Sequence, residues 1–248
     1  MSQLELALEA DISTRHLSFV ETGRSKPGRD ALLRILEHLD VPLRERNELL
    51  LSAGHAPEFA ERSLNDPELA AVRSALEHAL SRHDPHPAMV VDRRWNVVTA
   101  NKGFRRLTAI VDVDPDLLVP PVNAMRIAFH PRGMASSIVN LAEWRAHFLE
   151  RLERQLASTA DPAVSELIDE VRGYPVAEAH AAARSGTPPP LGPVIIRTRS
   201  HDELSFFGMF AAFNIPFEVT TSELAVELLF PADDATAAAL ERGRDSEP

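Results

Sequence analysis

Apolar positions in the first fifty residues recur at intervals of three and four, the spacing of helices that turn one face inward. Leu4, Ala7 and Leu8 share a face of a helix predicted from Gln3 to about Ala10, with Ser2 as its N-cap and Glu5 completing a capping box. Asp11-Ile12 interrupts the run, and Ser13 offers a second cap. The next helix, Thr14 to Thr22, places Leu17 and Val20 inward with Phe19 as a further inward candidate, and exposes Thr14, Arg15 and Ser18. It stops at Gly23, a residue able to take the left-handed conformation of a helix end. Two short helices joined by a tight turn, the second polar on its outer face, make a helix-turn-helix. After the Arg24-Ser25-Lys26-Pro27-Gly28 turn, Leu32, Leu33, Ile35, Leu36 and Leu39 mark a third helix. Pro42 opens a fourth, which carries Leu43, Leu49, Leu50 and Leu51 toward Gly54.

The periodicity weakens from His55 to Pro67, where the domain boundary is expected, and a connecting helix follows from Glu68 to Arg82. Met89-Val90-Val91 and Trp95 to Ala100 are β-rich runs around Asp92-Arg93-Arg94, a hairpin pattern. Asn101 to Leu107 reads as helical. Helices occupy most of Asn123 to Ser185, the clearest from Val139 to Leu156 with Leu141, Trp144, Phe148 and Leu152 on one stripe, and Pro188-Pro189-Pro190 ends them. Val194 to Thr198, Leu204 to Phe213 and Leu224 to Phe230 read as closing strands, the first two joined by a Ser200-His201-Asp202-Glu203 turn. Two strands, a helical middle and three strands predict one antiparallel sheet with helices on one face. The fold class is α+β: an all-α domain over 1–60, a linker with its helix over 61–85, a sheet domain over 86–240 and a disordered tail over 241–248.

A chain of 248 residues suits one small and one medium domain. It has no uninterrupted apolar run long enough to span a bilayer and no basic segment leading into an apolar stretch near Met1, so a cytoplasmic protein is expected. Without cysteine, disulfide scaffolds, thiolate nucleophiles and Cys-based zinc sites are excluded. A net charge of -11 argues against coating nucleic acid along the whole chain. Between Ile12 and Arg29, however, Arg15, Arg24, Lys26 and Arg29 face Glu21 alone, a local net of +3.

The runs Ser2-Gln3-Leu4-Glu5-Leu6-Ala7 and Ile12-Ser13-Thr14-Arg15-His16-Leu17-Ser18-Phe19-Val20-Glu21-Thr22-Gly23-Arg24, with Pro27, resemble the XRE family of phage-repressor-like helix-turn-helix regulators. The Gln opening one helix, the small residue at the turn, the Glu-Thr-Gly-Arg exit and the proline together carry that likeness. The remainder resembles the MmyB-like regulators. The residues concerned are Val91-Asp92-Arg93-Arg94-Trp95-Asn96-Val97-Val98-Thr99-Ala100-Asn101, Phe129-His130-Pro131 with Gly133, Val139-Asn140, and Leu204-Ser205-Phe206-Phe207. The two resemblances imply a bacterial transcription regulator with a lambda-repressor-like DNA-binding domain and a PAS-like ligand-binding domain. Family members carry one more helix ahead of the one opening at Ser2. The expectation is therefore that Met1 is an internal methionine and that codons for an amphipathic helix lie directly upstream.

The resemblance places base contacts at Thr14, Arg15 and Ser18, beside the cap Ser13. Arg15 leads, because a guanidinium can bridge the two major-groove acceptors of guanine. Gln3 matches a family position where the amide binds a phosphate or a flanking base, and Arg24, Lys26 and Arg29 are expected on phosphates. Glu21 is read as structural, paired with a neighbouring arginine or capping amides. A homodimer on an inverted-repeat operator in double-stranded DNA follows from the usual symmetry of such readers. The plainer alternative makes these residues the solvated surface of a small helical bundle.

For the second domain the resemblance implies a cavity for a small apolar ligand, with a fatty acid as the family-level suggestion. Candidates for its wall are Trp95, Phe104, Met125, Phe129, Trp144 and Phe148, with Arg126 as partner for a carboxylate; the alternative reading of such a stripe is plain core. Phe206, Phe207 and Phe210 are read as sheet core. His83-Asp84-Pro85-His86 lacks a third metal ligand and reads as a solvated turn. His130-Pro131 reads as a turn or pocket rim rather than a base. No carboxylate pair joins a nucleophile or metal cluster, and no phosphate-binding glycine loop is present. Neither a catalytic set nor a cofactor is expected. Three readings remain: a ligand-responsive DNA-binding regulator; a small-molecule or protein-binding module with little DNA affinity because its first helix is missing; and, last, an enzyme built on the second domain.

Overall fold

The computed structural model describes residues 2–175, 192–213 and 218–245. These form two compact units, one of residues 2–63 with 218–222 and one of 64–213 with 223–245.

The first unit is helical: α1 (Gln3–Glu9), α2 (Thr14–Glu21), α3 (Arg29–His38) and α4 (Leu43–Ser52). Ser2 and Glu5 form the expected capping box, the Ser2 N–H donating to the Glu5 carboxylate at 2.6 Å. Asp11 takes a left-handed conformation (φ 50) in the turn, and Ser13 caps α2 by accepting the His16 N–H at 3.1 Å. Gly23 (φ 69) ends α2 as anticipated. The face α1 turns inward differs from expectation: Leu6, Ala7 and Ala10 pack with Leu17 and Ile35, while Leu4 and Leu8 are 59% and 72% exposed. A seven-residue helix carries two overlapping apolar stripes, and the direction of its neighbours decides which one is buried. Leu32, Leu36 and Leu50 form a second small cluster.

The unit continues through the segment expected to separate the domains. The Asn47 side-chain oxygen accepts the Glu58 and Phe59 N–H groups, and its amide donates to the Phe59 carbonyl at 2.7 Å. The short helix Val219–Ser222 also belongs here. The buried Glu218 carboxylate accepts the Arg62 N–H at 2.6 Å and the Thr221 N–H at 3.2 Å, beside a parallel bridge from Glu218 to Ala60.

The second unit comprises α5 (Ala70–His83), β1 (Ala88–Val91), β2 (Val97–Ala100), α6 (Lys102–Ile110), α7 (Ala124–Phe129), α8 (Leu141–Thr159), α9 (Pro162–Gly173), β3 (Val194–Arg197), β4 (Glu203–Ala212), β5 (Ala225–Pro231) and α10 (Asp234–Asp245). Its strands form one antiparallel sheet in the order β2-β1-β5-β4-β3, the predicted hairpin supplying β1 and β2. Register sets the faces, because side chains alternate along each strand. Met89, Phe210 and Glu227 share one row and turn toward α6, α7 and α8, where the main core lies. Ala88, Val90, Val226 and Leu228 turn the other way and pack on Leu76 and Leu80 of α5.

Helices therefore cover both faces, not one, and α5, expected as a linker, is part of this unit. Two further expectations are corrected. Trp95 lies in the hairpin turn (φ 64) rather than in a strand, and the stretch read as a tail from 241 is helical through Asp245, with Leu240 buried against the core. The triple proline and the predicted helical end at Ser185 lie outside the described residues. No helix among the described residues is long and apolar enough to cross a membrane.

Candidate functional site

On the first unit, α2 is a scaffold with two faces. Leu17 is buried and anchors it; Thr14 and Arg15 are exposed at its first turn, and Ser18 is half-buried one turn on. The Arg15 guanidinium lies over its own helix, 5.3 Å from the Phe19 ring centroid, an i,i+4 contact that leaves its donors in water. Arg24 and Lys26 are exposed in the turn that follows, held by Arg24 and Ser25 N–H groups that both donate to the Phe19 carbonyl.

Three candidates are committed to other partners. Ser13 spends its oxygen on the cap. The Gln3 amide donates to Glu21 at 2.6 Å, so Glu21 is paired with this amide rather than with an arginine or with backbone N–H groups, and Gln3 is oriented by α2. Arg29, expected on a phosphate, is ion-paired with Glu58. Sequence reasoning missed Arg34, whose Nε donates to the Ala10 carbonyl at 2.7 Å and closes the C-terminus of α1.

The second unit holds a cavity of about 60 Å³ beneath the helices. Of the aromatic and methionine candidates, Phe104, Met125, Trp144 and Phe148 line it, joined by Met89 and Met134. Trp95 and Phe129 do not; both are buried edge-on to Phe148 in the core. The Trp95 indole donates to Gln155 at 3.0 Å, and Gln155 in turn donates to the Arg93 carbonyl. The Arg93 guanidinium meets Asp161 at 2.6 Å and Glu223 at 3.0 Å. Burial pushes the Asp161 carboxyl up, but the Ala163 N–H and the two neighbouring guanidinium groups hold it below the usual range. The Asp92-to-Asn96 run is thus a clamp for the hairpin.

Arg126 is not a cavity residue. It faces outward in a bidentate pair with Glu170, whose carboxylate also accepts the Tyr174 hydroxyl. The Arg126 guanidinium holds the Glu170 carboxyl below its ordinary value. His130 forms the expected turn, its Nδ1 accepting the Arg132 N–H at 3.0 Å. Gly133 follows because a Cβ there would strike the Ile127 carbonyl, which already accepts the Met134 N–H. His83 and His86 stand edge to face 5.3 Å apart, and among the described residues no three groups converge to hold a metal.

The residue no motif singled out is Glu227. It sits at the centre of β5, lines the cavity and is 6% exposed. Burial drives its carboxyl up to about 7, opposed by Arg151 of α8, whose guanidinium lies 3.8 Å from the Phe210 ring centroid. The signal available in the sequence was one acidic residue inside the apolar run Leu224 to Phe230.

Two family models match this chain: the MmyB-like transcription regulator ligand binding domain over residues 72–242, and Helix-turn-helix over residues 1–46. No curated protein matches it. Among solved structures, the PAS domain of an HTR-like protein from Haloarcula marismortui matches at 11% identity and a TM-score of 0.27, covering 65% of this chain and 98% of that one. An RNA-binding Light-Oxygen-Voltage receptor matches at 13% identity and a TM-score of 0.29, covering 99% of this chain and 57% of that one.

Proposed function

The chain belongs to the MmyB-like transcription regulator ligand binding domain family, and from that premise we propose that it is a transcription regulator that reads an inverted-repeat operator as a homodimer and changes its operator affinity when a small apolar ligand enters the second unit. The observation that carries the reading is Arg15 standing exposed at the first turn of α2, in a chain whose second unit also holds a largely apolar cavity. A helix of this kind enters the major groove by its N-terminal end, where Thr14 and Arg15 meet base edges while Arg24 and Lys26 hold phosphates. Arg29 contributes only after leaving Glu58. Ligand and operator are then linked thermodynamically: whatever the ligand does to operator affinity, the operator does equally to ligand affinity.

A fatty acid suits the cavity wall by its chain alone, since the arginine expected for its carboxylate is occupied by Glu170 on the outer surface. The DNA test uses the full chain and a fragment carrying the inverted repeat nearest its own gene. Binding should fall steeply with salt, and Arg15→Ala should weaken it by about 1–3 kcal/mol while scrambled fragments are little affected. Equal, feeble binding to every fragment, unchanged by Arg15→Ala, would leave the chain as a small-molecule or protein-binding module instead.

A further inference from the structure

We propose that the cavity of the second unit takes an apolar molecule ending in a neutral hydroxyl group, and that Glu227 receives that hydroxyl. The proposal rests on the reading of this cavity as the ligand site and adds the chemistry of the ligand's polar end.

Glu227 is the only charged residue among those lining the cavity; around it stand methionine, aromatic and aliphatic side chains. Register fixes its direction. On β5 it is paired with Met89 of β1 on one side and Phe210 of β4 on the other, both on the face turned toward α6, α7 and α8. It is 6% exposed, yet among the described residues no side chain or backbone N–H donates to it. Two other buried acids among the described residues are satisfied: Asp161 accepts from Arg93 and Ala163, and Glu218 from Arg62 and Thr221. A largely buried carboxyl with no donor calls for one, and this one borders the apolar cavity.

The charge nearby selects the head group. A carboxylate would be desolvated beside a second carboxyl, which admits both only by sharing a proton. An ammonium would have to shed its hydration shell with Arg151 already packed over Phe210 on the same side of the sheet. A hydroxyl is the least costly to desolvate, and it both donates and accepts. That matters because burial pushes Glu227 to about 7, so both its ionised and its protonated forms are present near neutrality; an alcohol bonds to either. The cavity of about 60 Å³ receives the hydroxyl end, and Met89, Met125 and Met134, three unbranched side chains, give way to the tail.

The experiment titrates the full chain at pH 7.5 with four probes sharing one chain length, 1-decanol, decanoate, decylamine and decane, and follows heat and tryptophan fluorescence. Decanol should bind at least tenfold tighter than decanoate or decylamine. Glu227→Leu should erase that preference while retaining decane, and Glu227→Gln, which keeps an acceptor oxygen, should retain most of it. Decanoate binding as tightly as decanol, or a preference surviving in Glu227→Leu, overturns the assignment. A cavity-filling Ala124→Phe variant with the parent's circular dichroism separates the two levels. If it binds every probe as the parent does, or if the parent binds none, the cavity reading itself falls. If it binds none while the parent takes decanoate as readily as decanol, only the hydroxyl assignment falls.

Discussion

Arg15 and Glu227 are the charged residues that the two proposals assign to a ligand, and solvent makes them opposites. Arg15 stands in water on α2, where its charge contributes almost nothing to stability until a phosphate or base edge displaces that water. Glu227 has already lost its hydration, so its carboxyl strains the fold at every pH where it is ionised. On α2 the work is divided between faces: Leu17, Ser13 and Gly23 hold the helix while Thr14 and Arg15 face outward. In the second unit Met125 and Phe148 are cavity wall and core at once. Substitutions should therefore separate binding from folding in the first unit and mix them in the second.

The largest expected effect breaks the clamp that holds the hairpin. Asp161→Ala removes a buried partner of Arg93 and the cap of α9, and should destabilise the second unit by about 3–5 kcal/mol, read as an early second-unit transition in urea; an equal loss in the helical unit would show that the two do not unfold separately.

Next comes the pH dependence of Glu227. Its folded-state value is raised to about 7 from an ordinary 4.5, so the native state holds a proton that the unfolded chain has released in between. The contribution is fully present below 4.5, declines as pH rises and is gone above about 7. Arg151 is the charged group facing it and works against the rise. Glu227→Gln should lack this decline, so the stability gap between variant and parent should move by about 3 kcal/mol between pH 4 and pH 8. Parallel stability curves would mean that Glu227 is hydrated in solution.

The smallest effect belongs to the helical unit. Ser13→Ala loses the cap on α2 and should cost about 1 kcal/mol of helical-unit stability, leaving the second-unit transition in place; a shift of that second transition would contradict the division drawn here.

Much of this molecule was legible because local chemistry dictates it. Ser2 with Glu5, Ser13 and Gly23 set the helix boundaries by satisfying or freeing backbone groups within a few residues of themselves. The β-rich runs Met89 to Val91 and Leu224 to Phe230 marked strands whichever neighbours they found. Of the proposed binding residues, Arg15 could be placed at the surface because exposure on a short amphipathic helix follows from its own period. Arg126 and Trp95 could not be placed, since whether an arginine reaches a cavity or an outer carboxylate depends on Glu170, 44 positions away.

The residues alone determined the helix-turn-helix, the strand set and the α+β class, because caps, turns and periodicity act over one or two turns of chain. Only the tertiary structure decided which stripe of α1 is buried, that α5 covers the second face of the sheet, and that Glu227 points into the cavity. Each of these depends on elements distant in sequence meeting across a core, where direction and loss of water, rather than residue type, set what a side chain does.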